Sequence, residues 1–295
     1  MSNSIHPTAV IHPTAVIGED VSIGPFAVIG PGVAIGNRCR LMPHCYIVAR
    51  TTLGDDCLIC TSAVVGGDPQ DLKYRGEDTD LAVGNRTRIG EFATVNRGTG
   101  VGGGRTVIGD DCMIMAYVHI AHDCIIGNNV VITNASQLAG HIHIEDQAWI
   151  SGGVMIHHFV TIGAMCFVAP NSGVGFDVPP YMIVEGFREN CRVRTLNMEG
   201  LKRRQVPEMS LSNLKKAFRL IYRQNKTQTE VIGELTDSEL SRDPYVANLL
   251  QHIKASNAGV QNRALERFRT DKTRQIYRTG DTNVELDDLR KEETA

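Results

Sequence analysis

The sequence predicts a mainly β protein, a parallel β-helix built from hexapeptide repeats, followed by a small α-helical C-terminal domain. Three observations lead to this fold class. An aliphatic residue recurs at every sixth position, 29 glycines accompany an aromatic content of only 5%, and apolar residues recur at helical spacing only in the last third of the chain. A core with few large rings must be filled by repetition, and stacked hexads supply that filling.

The hexad period continues in one phase through two long stretches, with a single slip between them. Its aliphatic positions are Ile5, Ile11, Ile17, Ile23, Ile29, Ile35, Leu41, Ile47, Leu53, Ile59, Val65, Val83, Ile89 and Val95, then Ile108, Ile114, Ile120, Ile126, Ile132, Leu138, Ile144, Ile150, Ile156, Ile162, Val168 and Val174. A period of six fits neither an α-helix nor simple strand alternation. It fits a three-sided parallel β-helix with one hexad on each side, so three successive hexads make one coil.

Small residues at two other hexad positions suit the corners of such a coil. Glycine often follows the aliphatic residue, and the fifth position is small. Six of the eight cysteines occupy that fifth position, namely Cys39, Cys45, Cys57, Cys112, Cys124 and Cys166. We expect them to be inward-facing core fillers. Cys57 and Cys60 have the spacing of half a zinc site, but no second pair follows at ligand spacing, so we predict no metal there.

Two segments interrupt the hexads, and we expect both to leave the prism as loops. Residues 66–82 carry the run Asp68-Pro69-Gln70-Asp71-Leu72-Lys73-Tyr74-Arg75-Gly76, whereas residues 98–105 are glycine-rich and cause the slip of phase. Insertions in a solenoid emerge on one face and often build its site. A charged excursion from so regular a scaffold therefore predicts function.

The chain changes character beyond Val174, and the hexads end by residue 180. Ser210 is a candidate helix N-cap, followed at helical spacing by Leu211, Leu214, Phe218 and Ile221. Residues 201–226 contain eight basic side chains against one acidic one, which favours an acidic partner. We divide the chain into a β-helix domain at 1–180, a helical domain at 181–265 and a polar, disordered tail at 266–295.

Overall charge and hydropathy exclude several classes of function. The net charge of −3 and the pI near 6.4 argue against bulk binding to nucleic acid. No apolar run reaches the roughly 18 residues of a membrane span, and the polar start offers no signal-peptide core. We therefore expect a cytoplasmic protein without stable membrane insertion.

Histidines concentrate in the later coils, at His119, His122, His141, His143, His157 and His158. Because Ile120, Leu138 and Ile156 are each separated by three hexads, His122, Gly140 and His158 should share one column. At least three imidazoles are then expected to converge. Two chemistries remain open, a metal site with an open position and a general base at His122 oriented by Asp123, with the Gly140 backbone N–H facing an oxyanion.

Several motifs together resemble one enzyme family. They are the hexads, Gln70-Asp71-Leu72-Lys73-Tyr74, His119-Ile120-Ala121-His122-Asp123-Cys124, Leu138-Ala139-Gly140-His141, Asp177-Val178-Pro179-Pro180-Tyr181 and Asn197-Met198-Glu199-Gly200-Leu201-Lys202-Arg203-Arg204. This set is similar to the acyl-carrier-protein:UDP-N-acetylglucosamine O-acyltransferases, which catalyse the first step of lipid A synthesis. The resemblance implies a left-handed β-helix, a homotrimer with sites between subunits, and no metal or cofactor. It also implies transfer of an (R)-3-hydroxyacyl group from acyl carrier protein to the 3-hydroxyl of UDP-N-acetylglucosamine.

The resemblance also implies roles for individual residues. His122 matches the base, Asp123 its orienting partner and Gly140 the oxyanion donor, while Asp71 and Lys73, with Gln70 beside them, match contacts to the sugar and the acyl hydroxyl. His119, His141, His157, Asn197, Glu199 and Arg203 match other substrate contacts, the last three toward the nucleotide. Acyl carrier proteins are acidic, so the basic residues 201–226 acquire a partner.

Three departures from the family pattern carry expectations of their own. Asn96 replaces a common histidine, and residues 186–197 are two residues longer and have Arg188 near the place of the usual histidine. Pro170 stands where some members have a glycine that lets the acyl chain pass, so we expect a preference below the longest family substrates.

Three rival interpretations follow from the same residues. A γ-class carbonic anhydrase uses a similar prism with a metal-binding histidine triplet, but it leaves the loop at Gln70 unexplained. A related N-acyltransferase carries an N-terminal uridine-binding domain, whereas repeats here begin at Ile5. A non-catalytic scaffold that binds carrier protein would not need both the His122-Asp123 pair and the Asp71-x-Lys73 pair.

Overall fold

A computed structural model describes residues 2–223, 226–259 and 265 of the 295-residue chain. Their first part is a triangular prism of short parallel strands, and their second part is a group of four α-helices. The tail at 266–295 lies outside the described residues.

The early coils contain strands β1 to β14. Their bounds are β1 Ser4–Ile5, β2 Val10–Ile11, β3 Val16–Ile17, β4 Ser22–Ile23, β5 Val28–Ile29, β6 Ala34–Ile35, β7 Arg40–Leu41, β8 Tyr46–Ile47, β9 Thr51–Leu53, β10 Leu58–Ile59, β11 Val64–Gly67, β12 Asp80–Val83, β13 Arg88–Ile89 and β14 Thr94–Asn96.

The later coils contain strands β15 to β28. Their bounds are β15 Arg105–Ile108, β16 Met113–Ile114, β17 His119–Ile120, β18 Ile125–Ile126, β19 Val131–Ile132, β20 Gln137–Leu138, β21 His143–Ile144, β22 Trp149–Ile150, β23 Met155–Ile156, β24 Thr161–Ile162, β25 Phe167–Val168, β26 Gly173–Val174, β27 Met182–Glu185 and β28 Arg192–Leu196.

Every third strand belongs to the same sheet, which gives the prism its three sides. The first sheet runs β1-β4-β7-β10-β13-β16-β19-β22-β25-β27-β28, the second β2-β5-β8-β11-β14-β17-β20-β23-β26, and the third β3-β6-β9-β12-β15-β18-β21-β24. Ser4 pairs in parallel with Ser22 and Val10 with Val28, so the coil of three hexads is confirmed. The fold is a left-handed parallel β-helix.

The stacked aliphatic residues form the core, as the hexads predict. Ile29, Ile47 and Ile59 are at most 1% exposed, and the six fifth-position cysteines are all buried. The recurring glycines serve close approach between coils. A Cβ on Gly36 would lie 2.6 Å from the backbone carbon of Gly54, whereas the left-handed φ at that corner belongs to Arg38.

Two polar columns run along the corner between the third and first sheets. In the first, each side-chain oxygen accepts a backbone N–H from the preceding coil at 2.7–2.9 Å; its members are Asn37, Asp55, Asn85, Asp110, Asn128 and Asp146. In the second, Arg38 pairs with Asp56 and Arg86 with Asp111, each pair having a contact at 2.7 Å. Amide alternates with carboxylate, and guanidinium with carboxylate, so like charges are never adjacent.

The C-terminal segment first extends the prism and then covers its end. β27 continues the first sheet in parallel and β28 adds an antiparallel edge. The helices follow as α1 Met198–Arg203, α2 Glu208–Tyr222, α3 Gln228–Asp237 and α4 Pro244–Ala258. Among the described residues, two strands and four α-helices therefore lie beyond the proposed boundary at residue 180, and none of these helices is long and apolar enough to cross a bilayer.

The predicted N-cap at Ser210 is wrong. α2 begins two residues earlier at Glu208, with Pro207 at its N-cap, and Ser210 lies buried within the first turn. Its side chain hydrogen-bonds the carboxylate of Asp243, the residue that caps α4. Tertiary contact, rather than capping, explains a serine at this position.

Two hydrogen bonds join α4 to the prism. The Asn248 Nδ2 donates to the Tyr181 hydroxyl at 2.8 Å, and the Ser256 hydroxyl donates to Asp177 at 3.0 Å. His252 of α4 is also buried and lies 3.5 Å from the Glu145 carboxylate of the prism. These contacts hold the helical segment against the last coils of the prism.

Candidate active site

His122 and Asp123 occupy the corner between β17 and β18, where the chain passes from the second sheet to the third. The His122 Nδ1 lies 2.7 Å from Asp123 Oδ2. Asp123 adopts a left-handed φ of 59°, as the equivalent corner residues of other coils do, and its side chain is only 1% exposed. The hexad register therefore turns two neighbouring residues into a hydrogen-bonded pair.

The glycine-rich insertion holds the Asp123 carboxylate from the other side. The Thr99 backbone N–H donates to Oδ1 at 2.9 Å, and the Thr99 hydroxyl donates to Oδ2 at 2.6 Å. The Asp123 N–H in turn donates to the Thr106 hydroxyl at 2.8 Å. Neither threonine is predicted from the sequence, because the insertion breaks the register that places the histidines.

These contacts determine which imidazole nitrogen carries the proton. An ionised carboxylate only accepts hydrogen bonds, so the short contact to Asp123 places the proton on Nδ1. The Nε2 lone pair of His122 is then free to accept a proton. This is the arrangement that a general base of the histidine type requires.

Gly140 lies one coil from His122, in the same column, as predicted. A Cβ at this position would meet the imidazole at 2.6 Å from Cε1 and 2.8 Å from Nε2. Its backbone N–H has no hydrogen-bond acceptor among the described residues. Beside this imidazole there is thus a backbone donor without an acceptor among the described residues, with room that only glycine leaves.

The first insertion brings a charged pair to the same place. Asp71 Oδ2 lies 4.0 Å from His122 Nε2 and 3.3 Å from the Lys73 ammonium, and both side chains are largely buried. Burial acts to raise the pKa of Asp71, but the Lys73 backbone N–H and ammonium outweigh it, so the pKa is lowered overall. Gln70 precedes this pair in an exposed position.

A buried arginine anchors the first insertion to the prism. Arg97 donates to the Gly66 carbonyl at 2.5 Å and to the Tyr74 hydroxyl at 3.1 Å, and it also pairs with Asp68. Its side chain is only 3% exposed. Asn96 beside it donates to the Asp68 carbonyl at 2.7 Å. The sequence signal for Arg97 is a charged side chain immediately before the second insertion, which the repeat pattern does not interpret.

Three imidazoles converge as predicted, those of His119, His122 and His141. His119 lies on β17 with Nδ1 2.8 Å from the Thr94 hydroxyl, and its pKa is lowered by burial and then by His122. The His141 ring meets that of His122 edge-on at 5.1 Å and stacks on Phe159 at 4.4 Å.

His157 and His158 contact each other on the next coil, where the ring of His158 also meets that of Phe159 edge-on at 6.3 Å. His143 does not belong to this group. It lies on β21 of the third sheet, where it interacts with Glu145 and His252.

Asn197, Glu199 and Arg203 lie elsewhere, around a cavity of about 630 Å³ on the outer face of the first sheet. Trp149, Phe167 and Ile183 contribute apolar walls to it. The Asn197 side chain caps α1 through Gly200 and donates to the Met165 carbonyl at 2.8 Å. Glu199 and Arg203 form an exposed ion pair at 3.0 Å. Within one chain, this cavity does not include His122.

His122, Asp123 and His141 could together offer three ligand atoms to a metal, since these atoms lie within 4.8 Å of one another. Zinc bonds of about 2.0–2.2 Å place ligand atoms over 3 Å apart. The Nδ1 of His122 and Oδ2 of Asp123 are only 2.7 Å apart, and Oδ2 also accepts the Thr99 hydroxyl. The donor set fits a hydrogen-bonded pair rather than a shared cation.

Three family models match the chain. One, described as UDP-N-acetylglucosamine O-acyltransferase, domain 2, matches residues 177–261. The bacterial transferase hexapeptide model with six repeats matches residues 105–140, and a GMPPB C-terminal domain model matches residues 5–70.

Curated relatives cover nearly the whole described fold. An acyl-carrier-protein–UDP-N-acetylglucosamine O-acyltransferase of Verminephrobacter eiseniae is 48% identical over 263 residues, spanning 88% of this chain and 99% of the relative. One of the same description from Gloeothece citriformis is 46% identical, spanning 87% of this chain and 91% of the relative.

Solved structures agree with these relatives. A UDP-N-acetylglucosamine acyltransferase of Bacteroides fragilis superimposes with a TM-score of 0.82 at 34% identity, covering 85% of this chain and 97% of the other. The corresponding enzyme of Francisella novicida gives a TM-score of 0.81 at 35% identity, covering 85% and 91%.

Proposed function

The chain belongs to the acyl-carrier-protein:UDP-N-acetylglucosamine O-acyltransferase family, and from this membership we propose how its own residues carry out the reaction. It is an acyltransferase that acts on UDP-N-acetylglucosamine in the first step of lipid A biosynthesis, with acyl carrier protein as acyl donor. The residue roles that follow are proposals. The observation that supports them most directly is the hydrogen bond between His122 and Asp123.

His122 is the general base in this proposal. Its Nε2 takes the proton of the sugar 3-hydroxyl as the oxygen attacks the thioester carbonyl of the (R)-3-hydroxyacyl carrier protein. The tetrahedral intermediate bears an oxyanion, which the free N–H of Gly140 stabilises. Collapse breaks the carbon–sulfur bond, and the departing thiolate takes the proton from Nε2, so the base is regenerated.

Asp123 and the first insertion support this step. Because Asp123 Oδ2 accepts a hydrogen bond from Nδ1–H, with 2.7 Å between the two heavy atoms, it stabilises the imidazolium that forms when Nε2 is protonated. The Asp71 carboxylate lies 4.0 Å from that nitrogen, and the Lys73 ammonium lies 3.3 Å from the same carboxylate. We assign them to the sugar and the acyl hydroxyl, with Gln70, His119, His141 and His157 as further substrate contacts.

A homotrimer explains why the predicted nucleotide contacts are separated from the base. His122 stands at the corner between the second and third sheets, whereas Glu199 and Arg203 border a cavity on the first sheet. Exposed rings occur along the corner between the first and second sheets, where Phe92 is 50% and Tyr117 59% exposed. Such an apolar strip favours contact with another copy. We propose that each site combines the base of one subunit with the cavity of its neighbour.

The basic segment 201–226 supplies the proposed docking surface for acyl carrier protein. Its eight basic side chains are all exposed, and they are Lys202, Arg203, Arg204, Lys215, Lys216, Arg219, Arg223 and Lys226. Complementary charge accelerates encounter with an acidic carrier. The eight cysteines are all free, which supports a cytoplasmic, reducing location.

One experiment tests the base. We expect His122→Ala to lower acyl transfer roughly 10²- to 10⁴-fold, with the trimer retained in size-exclusion chromatography. The matched control is His12→Ala, which removes an exposed imidazole of an early coil. Wild-type turnover by His122→Ala would contradict the assignment.

A second experiment defines the substrates. The purified enzyme is offered 3-hydroxyacyl carrier proteins of graded chain length, with UDP-N-acetylglucosamine or its 3-amino analogue as acceptor. We expect transfer to the 3-hydroxyl acceptor. Transfer only to the 3-amino analogue would change the acceptor, binding without transfer would favour a scaffold, and metal-dependent carbon dioxide hydration would favour the carbonic anhydrase alternative.

A further inference from the structure

The glycine-rich insertion, residues 98–105, covers the Asp123 carboxylate. A Cβ on Gly102 would lie 2.1 Å from the carboxylate carbon, so this glycine packs directly against the group. Asp123 is consequently almost fully buried. A buried carboxylate stays ionised only if donors replace the water it has lost.

Thr99 supplies two of these donors, and the direction of its hydroxyl proton is fixed. The Gly102 N–H donates to the Thr99 Oγ1 at 3.1 Å, so that oxygen serves as acceptor on this side. Its own proton then points to Asp123 Oδ2 at 2.6 Å, while its backbone N–H holds Oδ1 at 2.9 Å. The two contacts prevent rotation of the carboxylate.

The oxygen that the Thr99 hydroxyl holds is the one that orients the base. Oδ2 accepts both the Thr99 hydroxyl and the Nδ1 of His122. We propose that Thr99 is a positioning residue of the acyltransferase, acting on His122 through Asp123. This proposal rests on the proposed role of His122 as base.

Loss of the hydroxyl should affect turnover more than binding. A hydrogen bond to a charged group is worth about 1.5–3 kcal/mol, which corresponds to roughly a 10- to 100-fold effect. Part of this is recovered because the Thr99 backbone N–H remains. We expect Thr99→Val to lower kcat about 10-fold, with KM for UDP-N-acetylglucosamine within about 2-fold, because Thr99 reaches substrate only through the dyad.

The decisive experiment is a double-mutant cycle with a rescue variant. Thr99→Val is measured alone and in the Asp123→Ala background, and Thr99→Ser restores the hydroxyl without the methyl group. Thr87→Val is the matched control. Thr87 is equally buried and its hydroxyl donates to the Gly109 carbonyl at 2.8 Å, at a corner away from the site. Thermal unfolding of every variant accompanies the kinetics.

We expect Thr99→Ser to stay within about 3-fold of wild-type kcat, and Thr99→Val to have less than about a 2-fold effect once Asp123 is absent. Wild-type kcat for Thr99→Val, or an equal loss in both backgrounds, would overturn the proposal. His122→Ala distinguishes the role of His122 from that of Thr99. If His122→Ala remains active, the assignment of His122 as base fails. If His122→Ala is inactive while Thr99→Val keeps wild-type kcat, only the role of Thr99 fails.

Discussion

Gly140 faces the imidazole of His122 so closely that a Cβ would come within 2.6 Å of Cε1. The contact arises from the coil register, which stacks the two residues one coil apart. The imidazole therefore lies against a residue whose backbone N–H has no acceptor among the described residues. In the proposed mechanism, the absence of a side chain at this position leaves room for the thioester carbonyl.

Gly140→Ala should therefore inactivate the enzyme without unfolding it. The added methyl group displaces the ring from Asp123, and overpacking typically costs about 1–3 kcal/mol of stability. We expect kcat to fall about 100-fold or more, because the methyl group occupies the space beside the imidazole and blocks access to the backbone N–H, and losing the use of one oxyanion donor costs that much. Gly152→Ala is the control, since its Cβ would make only ordinary contacts from 3.4 Å. Steady-state kinetics and thermal unfolding distinguish the two, and equal activity of both variants would contradict the prediction.

Arg97→Lys should loosen the first insertion. A lysine cannot bridge the Gly66 carbonyl, Asp68 and the Tyr74 hydroxyl as the guanidinium does. We expect faster hydrogen exchange in residues 68–79 and a loss of roughly 10-fold in kcat/KM, because Asp71 and Lys73 are carried by that loop. Arg40→Lys, on the exposed face of the first sheet, is the control. Unchanged exchange in the loop would count against Arg97 as its anchor.

Pro170→Gly should lengthen the preferred acyl chain. Pro170 is exposed and follows β25, whose Phe167 contributes to the cavity on the first sheet. Removing the pyrrolidine ring frees space where the family resemblance places the acyl chain. A competition among donors of graded length measures the shift, with Pro31→Gly, in an exposed early corner, as the control. An unchanged optimum would show that Pro170 does not limit chain length.

Mixing two variants tests the proposed trimer and whether its sites lie between subunits. His122→Ala and the double variant Glu199→Ala/Arg203→Ala should each be impaired when assembled alone. After random mixing in equal amounts, about half of the sites receive an intact His122, and about half of those also receive an intact cavity from the neighbouring subunit. About a quarter of the sites should therefore be active. Activity of the mixture is compared with each variant alone. No recovery in a mixed trimer would place each complete site in one subunit.

Stability should decline as the pH falls below about 6.5, and His143 should account for part of the decline. Burial lowers the pKa of His143 from the usual 6.5, and His252 lowers it further against the opposing effect of Glu145 and Asp146. The unfolded chain then binds protons more readily, so stabilisation present above pH 6.5 is lost as the pH falls through the folded pKa.

We expect the urea unfolding free energy to drop between pH 7.5 and 5.5, and to drop less for His143→Gln. His119, whose pKa is also lowered, contributes equally to both proteins. Burial acts to raise the pKa of Glu145, but His252 and the Ala164 N–H outweigh it and lower the pKa overall, so Glu145 titrates below this interval. An identical slope for the variant would exclude His143.

The sequence predicts the periodic part of the site well, because residues separated by three hexads are stacked by the coil. That rule places Gly140 against His122. The same rule places His143 on another side of the prism, because His143 stacks one coil after Ile125, an outward position of the third sheet. Proximity in sequence to His141 therefore does not bring His143 to the site.

The insertions are where prediction from sequence fails. Thr99 and Arg97 act through hydrogen bonds whose geometry depends on how the chain leaves and rejoins the prism, and no period encodes that path. The Asp71-Lys73 pair is assigned by family resemblance, but its distance to His122 emerges only from the folded loop. Ser210 fails similarly, since its partner Asp243 lies on another helix.

The two alternating polar columns at the corner between the third and first sheets restrict how this prism can change its length over evolution. Excision of the single coil that carries Asn85 and Arg86 would set Asp55 over Asp110 and Asp56 over Asp111, two carboxylate pairs at about the 4.8 Å rise between coils. Excision of two adjacent coils restores opposite partners throughout. Gene rearrangements that add or remove coils in pairs therefore keep opposite partners adjacent. Those that add or remove an odd number of coils place like groups next to each other at the new junction, and their repulsion destabilises the fold.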